Sequence, residues 1–101
     1  MLHKYTLIVN LTIGSFMNIK DTSISKDKMI EIYKIIGQNV KKIRKEKNVS
    51  QLELSLAIGH KAVGTVSMCE LGINNKHFNL EHLIKIADVL ETDINEFFKG
   101  I

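Results

Sequence analysis

The chain has 101 residues, 45% of them hydrophobic and 25% charged, a composition that fits one soluble globular domain with one core and excludes a disordered chain. Its formal net charge of +3 is compatible with a polyanionic partner, and the absence of proline beside many strong helix formers favours an all-α fold. A single cysteine excludes an intrachain disulfide and fits a cytoplasmic setting, and no apolar run reaches the roughly 18–20 residues of a membrane helix.

Residues 1–24 read as a leader distinct from the rest of the chain. Tyr5–Ile13 is rich in β-branched residues and predicts a strand, which Gly14-Ser15 breaks. Thr6, Asn10 and Thr12 interrupt the apolar run and no small-x-small cleavage site follows, which argues against a signal peptide. A lone strand in a helical protein leaves an unpaired edge. The leader is therefore expected to pair with a second copy, to lie over a helix, or to stay loose.

From Ser25 the apolar spacing becomes helical, and residues 25–101 read as one domain. Met29, Ile32 or Tyr33, Ile36, Val40 and Ile43 recur at three and four residues, which predicts a first helix ending near Asn48 with Ser25 or Asp27 as its N-cap. Gly37 weakens its middle by about 1 kcal/mol relative to alanine, so the helix bends there or is two helices. Ser50 and Glu53 form a capping box for a two-turn helix, with Val49 and Leu54 as a hydrophobic staple and Gly59 as its stop. Leu54 and either Ala57 or Ile58 face inward.

The stretch "GHKAVGTVSMCELG", Gly59 to Gly72, then reads as a turn and a third helix. Val63, Val66 and Cys69 or Glu70 share its inner face, and Gly72 stops it. After the loop "INNKHF", Asn79 caps a fourth helix with a stripe of Leu80, Leu83, Ile84, Ala87 and Leu90. Asp93 and Glu96 read as a capping box for the last helix, whose Ile94, Phe97 and Phe98 close the core. Five helices are expected after the leader.

Charge is unevenly placed along these elements. Between Lys41 and Lys47 five cations face one carboxylate, whereas from Leu80 to Lys99 two lysines stand against five carboxylates. Such a molecule orients itself on a polyanion. His3, His60, His77 and His82 are scattered and Cys69 lies nine residues after His60, so the spacing of a metal site is missing and no metal or other cofactor is expected. No G-x-S-x-G, P-loop or G-x-G-x-x-G occurs, and a short all-α chain has little room for a substrate pocket, so no enzyme activity is expected. What remains is a short capped helix, a glycine turn and a second helix, a helix-turn-helix pattern beside the lysines of helix one. By pattern alone, DNA binding and a plain five-helix bundle with a solvated basic face both stand.

The stretches "IGQNVKKIRKEKNVSQLELSLAIG", "TVSMCELG" and "NLEHLIKIADVLETDINEFF" occur in that order and resemble the Cro-like (lambda-repressor-like), XRE-type helix-turn-helix family over about Ile36 to Phe98. The resemblance implies an all-α five-helix fold and a transcriptional regulator, a repressor by default, that binds double-stranded DNA as a homodimer. Its recognition helix, over about 61–71, would lie in the major groove. Gln51 matches a position that typically bonds a phosphate or a base edge, and Asn75, Lys76 and His77 match positions near the backbone. Ser55 stands where the family usually has alanine. Arg44 and Glu70 match an Arg/Glu pair that joins helix one to the recognition helix. On this reading Gln51, Lys61, Asn75 and Lys76 contact phosphates, with Lys41 and Lys45 as further candidates. Lys61, Ala62, Gly64, Thr65, Ser67 and Met68 make up the face toward the bases. That face holds no Arg, Asn or Gln for bidentate reading of guanine or adenine, so modest direct readout is expected, with affinity from phosphates and DNA shape.

The stretch also departs from the family pattern. The turn after Gly59 is one residue longer than usual, Lys61 stands where a buried aliphatic is usual, and Ala62 where a capping Ser or Thr is usual. The recognition helix therefore starts at Lys61 or Ala62, a shift of about one residue. Leu52 and Leu56 lie four apart on a face that is usually polar. They are either scattered surface leucines or the seat of Tyr5–Ile13 or of a partner protein. The dimer surface is expected at Ile94–Ile101 or in the leader. The alternative reading is an antitoxin-like module that masks a partner protein and binds its own promoter.

Overall fold

Ser25 opens the first helix: its backbone is extended and its hydroxyl accepts from the Lys28 N–H at 3.1 Å. The helix, α1 (Lys26–Glu46), runs for 21 residues and turns over at Lys47, after which Asn48 takes a φ of 58°. The structure is a computed structural model and describes residues 21–59 and 63–101. The strand expected at Tyr5–Ile13 and the helix start expected at Lys61 or Ala62 lie outside those residues.

α1 passes through Gly37 as one helix, so of the two expectations there the division into two helices is not what forms. The glycine is explained by packing: a Cβ there would run into the backbone carbonyl oxygens of Cys69 and Glu70. Gly37 lets α1 lie directly on the last turns of the third helix.

Local signals set the next elements. Ser50 and Glu53 exchange hydrogen bonds at 3.0 and 3.1 Å as a capping box at the head of α2 (Gln51–Ala57), and Gly59 beyond it has a φ of 84°. α3 (Val63–Leu71) stops at Gly72, whose φ is 66°. Asn79 caps α4 (Leu80–Val89), its side chain accepting from the His82 N–H at 2.8 Å while His82 Nδ1 accepts from the Asn79 N–H at 3.2 Å. The last element, Ile94–Phe98, is a 3₁₀ turn rather than an α-helix. Asp93 accepts from the Asn95 N–H, but the Glu96 carboxylate turns to Lys99 at 2.7 Å, so the expected Asp93/Glu96 capping box is not formed.

These elements close around one core of Ile36, Val40, Leu54, Ile58, Val66, Cys69, Phe78, Leu83, Ile86, Leu90 and Phe97. α1 packs against α3 and against the C-terminal turn, α2 against α3 and α4, and α4 against the turn. The Asn39 amide donates to the carbonyls of Phe97 and Lys99 at 2.9 and 2.8 Å, fastening the turn to α1. Among the described residues every element is helical.

Two expected faces are rotated. Val63 is 40% exposed, and the inner face of α3 is Val66, Cys69 and Glu70. On α4, Leu80 and Ile84 are 65% and 56% exposed, while Leu83, Ile86 and Leu90 are buried. Opposite the polar face of Glu81, Lys85 and Asp88 the helix has a wide apolar arc, so the spacing alone does not say which part of that arc is buried. Packing against α2 and the Phe97 turn does.

Candidate nucleic-acid interface

The mutual placement of α1, α2 and α3 rests on one buried polar cluster. Arg44 and Glu70 are only 6% and 1% exposed. Their groups meet in two parallel bonds, Nε to Oε2 at 2.7 Å and Nη2 to Oε1 at 3.1 Å. Arg44 Nη1 also donates to the Val49 carbonyl at 2.9 Å, and Gln51 Nε2 donates to Glu70 Oε1 at 2.8 Å. The Glu70 carboxylate thus takes bonds from both α1 and α2, which ties α3 to both helices. Gln51 was expected to point to a phosphate or base. Its side chain is half-buried and its amide nitrogen is committed to this cluster.

With Val66, Cys69 and Glu70 turned inward, the opposite side of α3 carries Gly64, Ser67, Met68 and Leu71, with Thr65 at its margin. Gly64 is exposed, Thr65, Ser67 and Met68 are half-buried, and Leu71 is exposed. A Cβ added at Gly64 would meet no protein atom within 4 Å, so the fold itself does not require glycine there. Lys61, Ala62 and His60 lie outside the described residues.

Behind α3 the chain makes a tight loop. Asn74 and Asn75 are both left-handed, with φ of 55° and 56°, and Asn74 Nδ2 donates to Met68 Sδ at 3.3 Å. Asn75, Lys76 and His77 are exposed. The His77 ring stacks on Tyr33 of α1, centroids 3.7 Å apart and planes 13° from parallel. No spacing in the sequence announces this contact, because it joins residues from different elements. Lys41 is half-buried and Lys45 exposed, both on the last turns of α1.

Cys69 is buried against α1. Burial pushes its thiol above the ordinary value of 9.0, the Lys76 charge opposes this, and Glu70 adds to it. Thiol-labelling reagents should therefore react with Cys69 only as fast as the protein opens. Labelling at the rate of a free thiol in the folded protein would refute the burial. A pKa raised by folding stabilises the fold below the ordinary thiol value and loses that contribution as pH rises beyond it, so stability falls on the alkaline side. Among the described residues no three His, Cys, Asp or Glu side chains converge as metal ligands, and no helix is long and apolar enough to cross a membrane.

Comparison with known families adds one match. The family model described as helix-turn-helix covers residues 40–97, more than half of the chain. Its span runs from the last turns of α1 through the C-terminal turn and contains the Arg44–Glu70 pair, α3 and the loop behind it. The chain matches no curated protein.

Proposed function

Since the chain belongs to the helix-turn-helix family of DNA-binding regulators, of the XRE, Cro-like type, we propose that α3 is its recognition helix and enters the major groove of double-stranded DNA. Gly64, Thr65, Ser67 and Met68 face the bases, with Lys61 and Ala62 just ahead of them. Asn75 and Lys76 hold the phosphate backbone. Gln51 contributes through Glu70, by fixing α2 against α3, and reaches a phosphate only with the part of its amide that the cluster leaves over. Arg44 and Glu70 are an internal brace. The protein acts in the cytoplasm as a homodimeric repressor on a two-fold operator, since a single small domain buries too little DNA surface for tight binding.

The observation that carries this reading is the outer face of α3: small and hydroxyl side chains on a helix that the Glu70 cluster holds rigidly. Thr65 and Ser67 can bond a phosphate or either base type, and the Thr65 and Met68 methyl groups suit thymine methyls. Gly64 supports it as well. It weakens α3 without any packing reason, as expected where a backbone approaches DNA closely.

Selection from a random-sequence DNA pool at two salt concentrations tests the reading. Salt-dependent binding is expected, with sequence preference altered by Thr65→Ala and Ser67→Ala. Lys76→Gln should weaken binding to all sequences and reduce the salt slope by about 0.9. Absence of salt-dependent binding would falsify the reading. A separate expectation concerns Gly64→Ala, which should raise the unfolding free energy by up to about 1 kcal/mol through helix propensity and still weaken DNA binding. An unchanged affinity would remove Gly64 from the interface.

Exposed Leu52 and Leu56 on α2 favour a second reading, an antitoxin-like module whose α2 face receives a partner protein. Leu52→Ser with Leu56→Ser should then abolish association with that partner while leaving DNA binding intact.

A further inference from the structure

The first turns of α1 lie upstream of residues 40–97, the span of the family match, yet they pack on the loop behind α3. Tyr33 stacks on His77, and a Cβ at Gly72 would come within 2.7 Å of Lys34 Cγ and 3.2 Å of Lys34 Cα. Between this part of α1 and the loop runs a groove of about 430 Å³. Apolar Met29, Ile30 and Ile73 line it together with the three lysines Lys26, Lys34 and Lys76. Among the described residues none of these three ammonium groups has an ion-pair partner. The one acidic side chain of α1 that is paired, Glu31, is taken by Lys28, which does not line the groove.

We propose that the first turns of α1 form a second contact with the DNA backbone, with Lys26 and Lys34 binding phosphates beside those held by Asn75 and Lys76. The proposal rests on the DNA-binding reading above. Lys34 sits against the turn that ends the recognition helix, so a phosphate that reaches Lys76 lies on the same side of the molecule as Lys34. Lys26 and Lys34 are about 12 Å apart along the helix axis, too far to share one phosphate. Like charges gathered without carboxylate partners suit a ligand whose negative charge is itself repeated along a line. The Tyr33–His77 stack keeps the loop and α1 in one frame, so these contacts form without ordering a loose segment.

Salt titration of the full chain on its best selected DNA decides the matter. Lys26→Gln with Lys34→Gln should lower the slope of log affinity against log salt by about 1.8, about 0.9 for each lysine, and leave the ranking of DNA sequences unchanged. Lys26→Arg with Lys34→Arg should keep the parental slope. Because Lys34 also touches Gly72, Lys26→Gln alone provides the control, with an expected fall of about 0.9 and an unchanged melting temperature. If Lys76→Gln lowers the slope and the Lys26/Lys34 variants do not, the second contact is overturned and the first stands. If the parental chain shows no salt-dependent binding, both readings fall.

Discussion

Glu70→Ala is expected to cost the fold about 3–5 kcal/mol. The substitution removes the partner of an Arg44 guanidinium that is 6% exposed, and it leaves the Gln51 amide without its acceptor. A buried charge without a partner carries most of its desolvation cost uncompensated, so breaking the pair costs more than the pair contributes. Domains of this size have about 5–15 kcal/mol in total, so the variant should be near unfolding at modest urea concentrations. The control is Arg44→Met with Glu70→Leu. Removing both charges together should recover much of the loss, because no orphaned charge remains. Urea unfolding of the three proteins reads the effect as a shift in midpoint at constant slope. A Glu70→Ala loss below about 1 kcal/mol, the scale of an exposed pair, would contradict a buried brace.

Gly37→Ala is expected to destabilise by about 1–3 kcal/mol, although alanine is the better helix former by about 1 kcal/mol. Its methyl group would meet the carbonyl oxygens of Cys69 and Glu70, which belong to backbone and cannot swing aside. The alternative to strain is a shift of α3 away from α1, and that shift opens the Arg44–Glu70 bonds. DNA affinity should therefore fall together with stability, and Gly37→Val should be worse in both. A more stable Gly37→Ala protein would show that α1 and α3 are not in close approach.

Punctuation was the most legible layer of the sequence. Ser25, Ser50 and Asn79 cap helices, and Gly59 and Gly72 stop them, because each signal acts within a few residues of itself. The Arg44–Glu70 pair was reachable only through the family resemblance, since 26 residues separate its members. Facing was less legible. Leu80, Leu83, Ile84, Ile86, Ala87 and Leu90 form one wide apolar arc, and the neighbours of α4 decide that its Leu83, Ile86 and Leu90 part is buried. Val63 belongs to the inner stripe by spacing, yet α3 is pinned to α1 at its other end, near Cys69 and Glu70, and Val63 is left 40% exposed. Gly37 looked like a weak point within one helix, because the backbone it accommodates comes from another. Gln51 matches a phosphate- or base-bonding position by resemblance, and its bond to Glu70 was not legible because only the folded chain brings the two together.

The Asn39 amide bonds to Phe97 across 58 residues, and Phe97 is fully buried. Synthesis of the chain therefore delivers α1 long before the turn that covers its lower face. Until Phe97 has been made, the side of α1 that will meet it has no cover, and the most distant contacts of Asn39 must wait for residues 97–99 to emerge. Closure of the core thus waits until Phe97 has been made, and a nascent chain stalled ahead of Phe97 would expose an incomplete core to chaperones and proteases.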